Sequence, residues 1–569
     1  MRLRSRFLIS FICLSYACTS AAQSPTGTIS GIVTDPSGAM IASAEVIVVN
    51  DATRAQFSGK TNDEGIYVVP NLPPGTYRVQ VSKIGFKTII KPDIVVNVQD
   101  ALAINFALPL GAMSEIVTIQ GGSPLVNTES AAVSTVIDRQ FVENLPLNGR
   151  SFNTLLQLTP GVVIASRTNA LSPGQFSIAG QRTDANNFSV DGVSANFGVN
   201  GNNGASASGT GSAQAFSAIG GTSSLVSVEA LQEFRVETSS FAPEFGRSPG
   251  GQVILTTRSG TNDFHGGVYE YFRNNVLDAN DWFANQSGQP RAAERHNDFG
   301  AFVGGPIWRD KTFFFVSYEG ARLRLPQAGP ILVPSEWART VAAPAAIAPY
   351  LNAYPQPNDR TVTPGVYTGQ FTGVWSNSAT LNAGSVRVDH TFNSRFSIFG
   401  RYNEAPSEFA QRTNSLSSIT SGPVNTRTAT LGFNALLTTQ MSNTFRANYS
   451  RQYAASIDSV DSFGGAVPPP LNLLLGSLSP QNSAASFITF DTTAYELGPV
   501  AGNTSKQINF VDDFSFVVGA HQMKYGVDYR SIYLDTKPGQ HQVFYQAPSV
   551  QSFVSSGGVV FNMPTETGN

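Results

Sequence analysis

Apolar and polar residues alternate along three paired stretches in the second half of the chain. Val386, Val388 and Phe392 alternate with Arg387, Asp389 and Thr391, with His390 the odd member of the apolar set. Asn393-Ser394 reads as a turn, and Phe396, Ile398 and Tyr402 then alternate with Arg395, Ser397 and Arg401, broken only at Phe399. The second pair sets Ala429, Leu431, Phe433 and Leu437 against Thr428, Thr430 and Asn434, and returns with Phe445, Ala447 and Tyr449 against Arg446, Asn448 and Ser450. The third returns with Met523, Tyr525, Val527 and Tyr529 against Lys524, Asp528 and Arg530; its outgoing strand, 507–517, is poorer because Asp512 and Asp513 put charge on both faces. A period of two predicts strands with one apolar face. The predicted turns inside the pairs (393–394, 438–443, 518–520) are short. The predicted connections outside them (326–384, 403–427, 451–506) are long. Short turns on one side and long loops on the other fit a membrane-spanning barrel, whereas a water-soluble sandwich has no reason to segregate them.

The first half has a different texture. Strands are predicted at 27–34, 44–49, 66–69 and 77–81, separated by the turn sequences Asp35-Pro36-Ser37-Gly38, Asn62-Asp63-Glu64-Gly65 and Pro73-Pro74-Gly75. Evenly spaced short strands indicate a sandwich. Asp63 and Glu64 read as a solvated turn rather than a paired carboxylate. From about 115 the pattern becomes mixed. A strand is expected at 132–138, a short helix capped by Asp138 at 138–145, and a strand at 188–193 entering an Asp-Gly hairpin turn. A mobile Gly/Ser/Ala/Asn loop is expected at 198–221 and a short helix at 227–234, on whose face Val228, Leu231 and Phe234 would lie.

Composition narrows the function. Only 13% of the 569 residues are charged and the net charge is −3, while Phe, Tyr and Trp number 38, 17 and 4. The aromatic content argues against disorder, and the near-neutral balance against nucleic acid as a partner. Composition by itself suits a secreted β-protein and a membrane barrel equally. Arg2, Arg4 and Arg6, the apolar run 7–16 and Ser20-Ala21-Ala22 read as a signal peptide, 1–22, cleaved before Gln23. Both cysteines, Cys13 and Cys18, lie in that segment. Its removal would leave no disulfide, no zinc–thiolate site and no Cys nucleophile, and no two of the five His sit at a metal-ligand spacing. No cofactor, metal or catalytic residue is therefore expected. Beyond the signal peptide no apolar run reaches the length of a spanning helix, so any crossing must be by a closed barrel.

Specific words then carry a resemblance. Residues 31–48, 61–81 and Gly85-Phe86 resemble the carboxypeptidase-regulatory-like, transthyretin-like domain, an accessory module whose name confers no peptidase activity. Residues 144–152 (NLPLNGRSF), Val190-Asp191-Gly192-Val193 and 228–274 resemble the plug and first barrel strand of TonB-dependent transporters of the Oar-like branch. The Arg-Gly pair found before the Asp-Gly hairpin in many such plugs is replaced here by Ala179-Gly180. The resemblance implies a mainly β fold: signal peptide 1–22, sandwich 23–112, mixed α/β plug 113–260, and at 261–569 the first part of an antiparallel transmembrane β-barrel of about 22 strands. It implies an outer-membrane location in a Gram-negative-type bacterium and active uptake of a scarce or large nutrient, oligosaccharide or peptide. The implied partners are a TonB-type energy-transducing protein of the inner membrane, outer-membrane lipid and an unknown extracellular substrate. The TonB box, the strand this partner captures, is expected at Glu115, Ile116, Val117, Thr118 and Ile119. The competing readings are a surface binding or adhesion protein without active uptake, and a secreted peptidase. Since 261–569 holds about ten strands against the 22 of the class, and the chain ends on a turn-like tail, the sequence is expected to be a fragment cut near the middle of its barrel.

Overall fold

The computed structural model describes residues 26–118, 132–144, 153–164, 176–200, 211, 213–220, 223–238, 240–242, 244–286, 288–291, 293–519, 521–537 and 541–564. The signal-peptide reading and Ile119 lie outside the described residues.

Nine strands open the chain: β1 (Gly27–Thr34), β2 (Glu45–Asn50), β3 (Gln56–Lys60), β4 (Ile66–Leu72), β5 (Gly75–Ser82), β6 (Thr88–Val96), β7 (Ala101–Ala103), β8 (Phe106–Ala107) and β9 (Ile116–Thr118). They form two sheets. One runs β4-β1-β7 with β8 also on β1, the other β3-β2-β5-β6-β9. The alternation read at 77–81 is the reason: Tyr77, Val79 and Val81 are fully buried beside Val46, Val48, Ile29 and Val33, while Arg78 and Gln80 face outward. Asp35 closes the first turn by accepting the Ser37 and Ala39 N–H groups at 2.8 and 2.9 Å.

The middle segment contributes β10 (Ser134–Ile137), β11 (Val162–Ile164), β12 (Phe176–Ile178), β13 (Asn187–Val190), β14 (Val193–Ser194), β15 (Leu231–Glu237) and β16 (Gln252–Thr257). Five of them make a sheet in the order β10-β15-β16-β13-β14. The short helix Arg139–Asn144 is capped as its sequence suggests, with the Phe141 N–H donating to Asp138 Oδ1 at 3.1 Å. The helix expected at 227–234 is not there. A single 3₁₀ turn, Val228–Ala230, leads into β15. The β15–β16 register shifts between Leu231 and Glu233, so a bulge spaces two core residues, Leu231 and Phe234, three apart, which imitates a helical face. The loop expected at 198–221 also differs. Its described residues are packed: Val199, Ala215, Ser217 and Ala218 are buried between plug and barrel wall. Small residues are needed for so close an approach, since a Cβ on Gly198 would lie 2.2 Å from the Gln214 carbonyl oxygen.

The remaining strands are β17 (His265–Asn274), β18 (Arg295–Trp308), β19 (Thr312–Pro334), β20 (Thr368–Asn393), β21 (Phe396–Arg412), β22 (Ser418–Thr438), β23 (Met441–Val460), β24 (Ser483–Thr489), β25 (Tyr495–Val518), β26 (His521–Asp535), β27 (His541–Ala547) and β28 (Val559–Pro564). An antiparallel wall runs β17-β18-β19-β20-β21-β22-β23-β25-β26. Along β21, residues Phe399, Arg401, Asn403, Ala405, Ser407, Phe409 and Gln411 are buried toward the lumen. Val316, Val386, Tyr402, Leu431, Tyr449 and Ile508 stand outward and exposed, an apolar band with polar residues behind it.

Of the long loops expected at 326–384, 403–427 and 451–506, the second is mostly strand and the other two are about half strand. The connections shrink to 335–367, 413–417 and 461–494. Above the apolar band charged residues enter the outward face (Glu404 and Glu408 on β21), so the apolar alternation vanishes although the pairing continues through Arg412. On that side β24, β27 and the helices Ala348–Asn352, Leu471–Leu475 and Val550–Ser556 enclose an aromatic lobe. Phe487 is its centre, 4.7 Å from Phe553 edge-on and stacked 5.1 Å from Tyr495. Phe487→Ala is expected to destabilise the lobe by about 3–5 kcal/mol. Amide exchange should accelerate in 348–352 and 541–547 while the lower halves of β20–β23 stay protected.

Candidate functional site: the plug in the barrel lumen

Val190-Asp191-Gly192-Val193 is the tight turn between β13 and β14, and all four residues are buried. Asp191 and Gly192 have φ of 51° and 85°, the two positive values a type I′ hairpin needs. Parallel pairing of β13 with β16 brings Asp191 beside Thr257, whose N–H and hydroxyl donate to its carboxylate at 3.0 and 2.9 Å. The barrel supplies the countercharge. Arg387 Nη1 on β20 donates to Asp191 Oδ1 at 3.1 Å, and Arg401 on β21 lies 4.0 Å from Oδ2. Arg387 is shared with Asp389 at 2.8 Å and lies over the Phe399 ring at 4.4 Å, while Arg401 also donates to the Leu225 carbonyl at 2.6 Å. The turn thus ties the plug to two adjacent barrel strands.

The rest of the seam is amide and hydroxyl. Asn509 accepts from the Ser194 N–H (2.8 Å) and Gln507 donates to the Ser194 carbonyl (2.7 Å). Gln452 accepts from the Val199 N–H and donates to the Phe216 carbonyl, both at 2.8 Å. Two ion pairs close the far side, Lys524–Glu244 at 2.9 Å and Arg247–Asp528 at 3.0 Å. Each neutral bond of this kind contributes only about 0.5–1.5 kcal/mol net, because water can replace it. The plug's apolar core is nearly self-contained: among the described residues Phe315 is its one buried barrel member, with Phe302 packed alongside. A unit with its own core and a water-replaceable rim can shift as a body.

The sandwich sits at the short-turn end. Val98 is its anchor, buried with Phe245 and Ile254 of the plug. Both backbone groups of Val98 are held by β15: Glu233 accepts its N–H and Arg235 donates to its carbonyl. Arg235 already faces Asp100 at 3.2 Å and Glu237 at 4.0 Å. Burial, with Asp100 nearby, pushes the Glu233 carboxyl up to about 8. Asn62 also donates to the Gly519 carbonyl on a barrel turn at 3.0 Å. A cavity of about 270 Å³ remains between sandwich, plug and barrel turns, bordered by Asn50, Tyr77, Asp191, Arg387 and Phe399.

The partner-capture candidate lies apart from Asp191. Ile116, Val117 and Thr118 form β9, paired in parallel with β6 at the edge of the sandwich sheet, with Ile116 and Thr118 exposed and Val117 packed on the sandwich core. Glu115 bonds Lys87 at 2.6 Å, and that ammonium holds its carboxyl below the usual carboxylate range. The sequence reading did not single out Thr257, Glu244, Arg247, Gln452 or Asn509 as a set. For Gln452 and Asn509 the signal is only the polar half of the barrel-strand alternation, whereas Glu244 and Arg247 lie in a plug loop between β15 and β16 that has no local pattern.

A plug filling an antiparallel wall that is apolar outside and polar within defines an outer-membrane-type barrel with a filled lumen. Family models agree: an outer membrane beta barrel domain matches 256–556, a TonB-dependent receptor plug domain 126–251 and a carboxypeptidase regulatory-like domain 28–109. The chain belongs to the family of outer membrane beta barrel domains, and it carries a TonB-dependent receptor plug domain and a carboxypeptidase regulatory-like domain in front of the barrel. It is 30% identical over 318 residues to the TonB-dependent transporter Oar of Myxococcus xanthus, a match spanning 52% of this chain and 27% of that protein. Among solved structures it is similar to the outer membrane transporter YddB of Escherichia coli (TM-score 0.49, 12% identity, 76% of this chain and 52% of that one). It is also similar to the ferric enterobactin receptor of Pseudomonas aeruginosa (TM-score 0.43, 13% identity, 72% and 50%). The outer-membrane location follows from the barrel and plug matches.

Proposed function

We propose that the chain is the sandwich, plug and first barrel portion of an active importer that takes up a nutrient too large or too scarce for an open pore. The observation that carries this is the plug held in the lumen by water-replaceable bonds and by one buried carboxylate, Asp191, shared between two barrel strands. The energy would come from an inner-membrane TonB-type partner that captures Glu115 to Ile119 by β-augmentation, a mode in which backbone groups supply the affinity. The edge position of β9 supports that role, because among the described residues no strand pairs with its other side. Capture would then pull on a segment that leads into the plug, and Val190 to Val193 would be the turn that transmits or releases. The domain bounds proposed with this reading are 1–22, 23–112, 113–260 and 261–569. No reaction on the substrate is proposed, and oligosaccharides and peptides are the classes to screen.

The test is deletion of 114–120 in the full-length protein, assayed by growth on candidate nutrients with and without the energising partner. Loss of partner-dependent growth, with the protein still in the outer membrane, is expected. Undiminished uptake would remove these residues as the capture segment. Accumulation that persists without the partner would favour a passive surface-binding protein.

A further inference from the structure

The outward face of the barrel carries a row of like charges that its own carboxylates do not balance. Arg427 on β22 stands directly opposite Arg451 on β23, and Arg451 opposite Lys506 on β25. Direct cross-strand neighbours on one face are about 5 Å apart, where like charges repel. Glu404 is taken by Arg427 at 2.6 Å. Asp535, diagonal to Lys506, faces Lys537 at 3.9 Å. Among the described residues the Arg451 guanidinium has no ion pair, and its buried Nε meets no acceptor. Among the described residues Lys506 is held only against the Tyr533 ring at 5.7 Å.

The height of the row is informative. Arg427, Arg451 and Lys506 lie eleven, ten and twelve residues from the short-turn ends of their strands, Thr438, Met441 and Val518. At about 3.3 Å per residue and a tilt near 40°, that is about 25–30 Å along the membrane normal, the thickness of the apolar band. One step nearer the turns the same strands present Ala429, Tyr449 and Ile508, the last two 46% and 44% exposed. The cations therefore sit where the hydrocarbon ends on the long-loop side, with an apolar and aromatic surface directly beneath.

We propose that Arg451 and Lys506, with Arg427 beside them, form a binding site for the phosphate of an outer-leaflet lipid whose acyl chains lie along Tyr449 and Ile508. A phosphate brings the negative charge the row lacks and the several acceptor oxygens that an arginine and a lysine can share. The outward orientation and the apolar surface below select a lipid headgroup rather than a free anion. The proposal rests on the outer-membrane placement of the barrel, not on transport.

Native mass spectrometry of the full chain in neutral detergent, titrated with dioleoyl phosphatidic acid or dioleoyl phosphatidylcholine, tests it. Phosphatidic acid is expected to bind in preference. Arg451→Gln with Lys506→Gln should lower its occupancy about tenfold, and the charge-conserving Arg451→Lys with Lys506→Arg should retain it. Arg309→Gln with Lys311→Gln, which removes two charges from the β18–β19 turn at the opposite rim, should leave it unchanged. Equal binding of the two lipids, an equal loss in the turn variant, or displacement of phosphatidic acid by an equal concentration of inorganic phosphate would each overturn it.

Discussion

Replacing Asp191 by Ala is expected to loosen the plug without unfolding the barrel. The carboxylate is 2% exposed and serves Thr257 within the plug and Arg387 and Arg401 on the wall. Its loss leaves two buried guanidinium groups with less countercharge. Removing one partner of a buried pair costs about 3–5 kcal/mol. Arg387 keeps Asp389 and Arg401 keeps the Leu225 carbonyl, which places this case at the low end, about 3 kcal/mol. That corresponds to roughly a hundredfold faster amide exchange in β13 and β16. Asp191→Asn should do about half as much damage, since the amide still accepts from Thr257. Asp191→Asn combined with Arg387→Gln should cost less than the two changes added, because each removes the other's unpaired charge. Exchange within threefold of the parent protein in Asp191→Ala would show that the turn is not a latch. Ion conductance across a planar bilayer gives an independent readout and should rise in the same order.

The strands were legible where one face is apolar and the other polar. The hairpins at 385–402, 428–450 and 507–530 all lie within paired strands, because lipid on one side and a filled lumen on the other enforce a period of two. The same rule hid the outer halves of the strands. Beyond Tyr402 the outward face meets water, Glu404 and Glu408 replace the apolar set, and the sequence of a strand becomes that of a loop. The bulge at Leu231/Glu233 misled in the other direction by giving a strand a helical spacing. In the plug, the Asp-Gly turn was readable because two positive φ values demand it. Its partners were not: Asp191 and Arg387 are joined by topology alone, and nothing near either residue names the other. The sandwich–plug joint at Val98 was invisible for the same reason, since an ordinary valine becomes an anchor only when Phe245 and Ile254 surround it.

That joint should weaken as pH rises, and Glu233 is the cause. Burial is the main reason the Glu233 carboxyl stays neutral and the Asp100 carboxylate adds to it, against the Val98 N–H and the Arg235 guanidinium, which favour the ionised form. Burial also raises the Glu237 carboxyl, with Glu244 adding to the effect, and Asp138 is the remaining acid near Glu233. Docked, Glu233 holds its proton up to about pH 8; undocked and solvated, it releases it near its ordinary value of 4.5. The docked state therefore binds the extra proton. Its contribution to docking is fully present below pH 4.5, falls progressively above that, and is gone once pH passes 8. The total is a few kcal/mol at most. The protection factor of the Val98 amide, corrected for the intrinsic pH dependence of exchange, should drop about a hundredfold or more between pH 5 and 9. Glu233→Gln keeps an oxygen that accepts the Val98 N–H and has nothing to titrate, so its protection should stay nearly flat and exceed that of the parent protein at pH 9. A parent profile as flat as that of the variant would mean that Glu233 is already ionised in the docked state. A steep profile in Glu233→Gln would transfer the effect to Glu237, the other carboxyl beside Arg235 that burial raises.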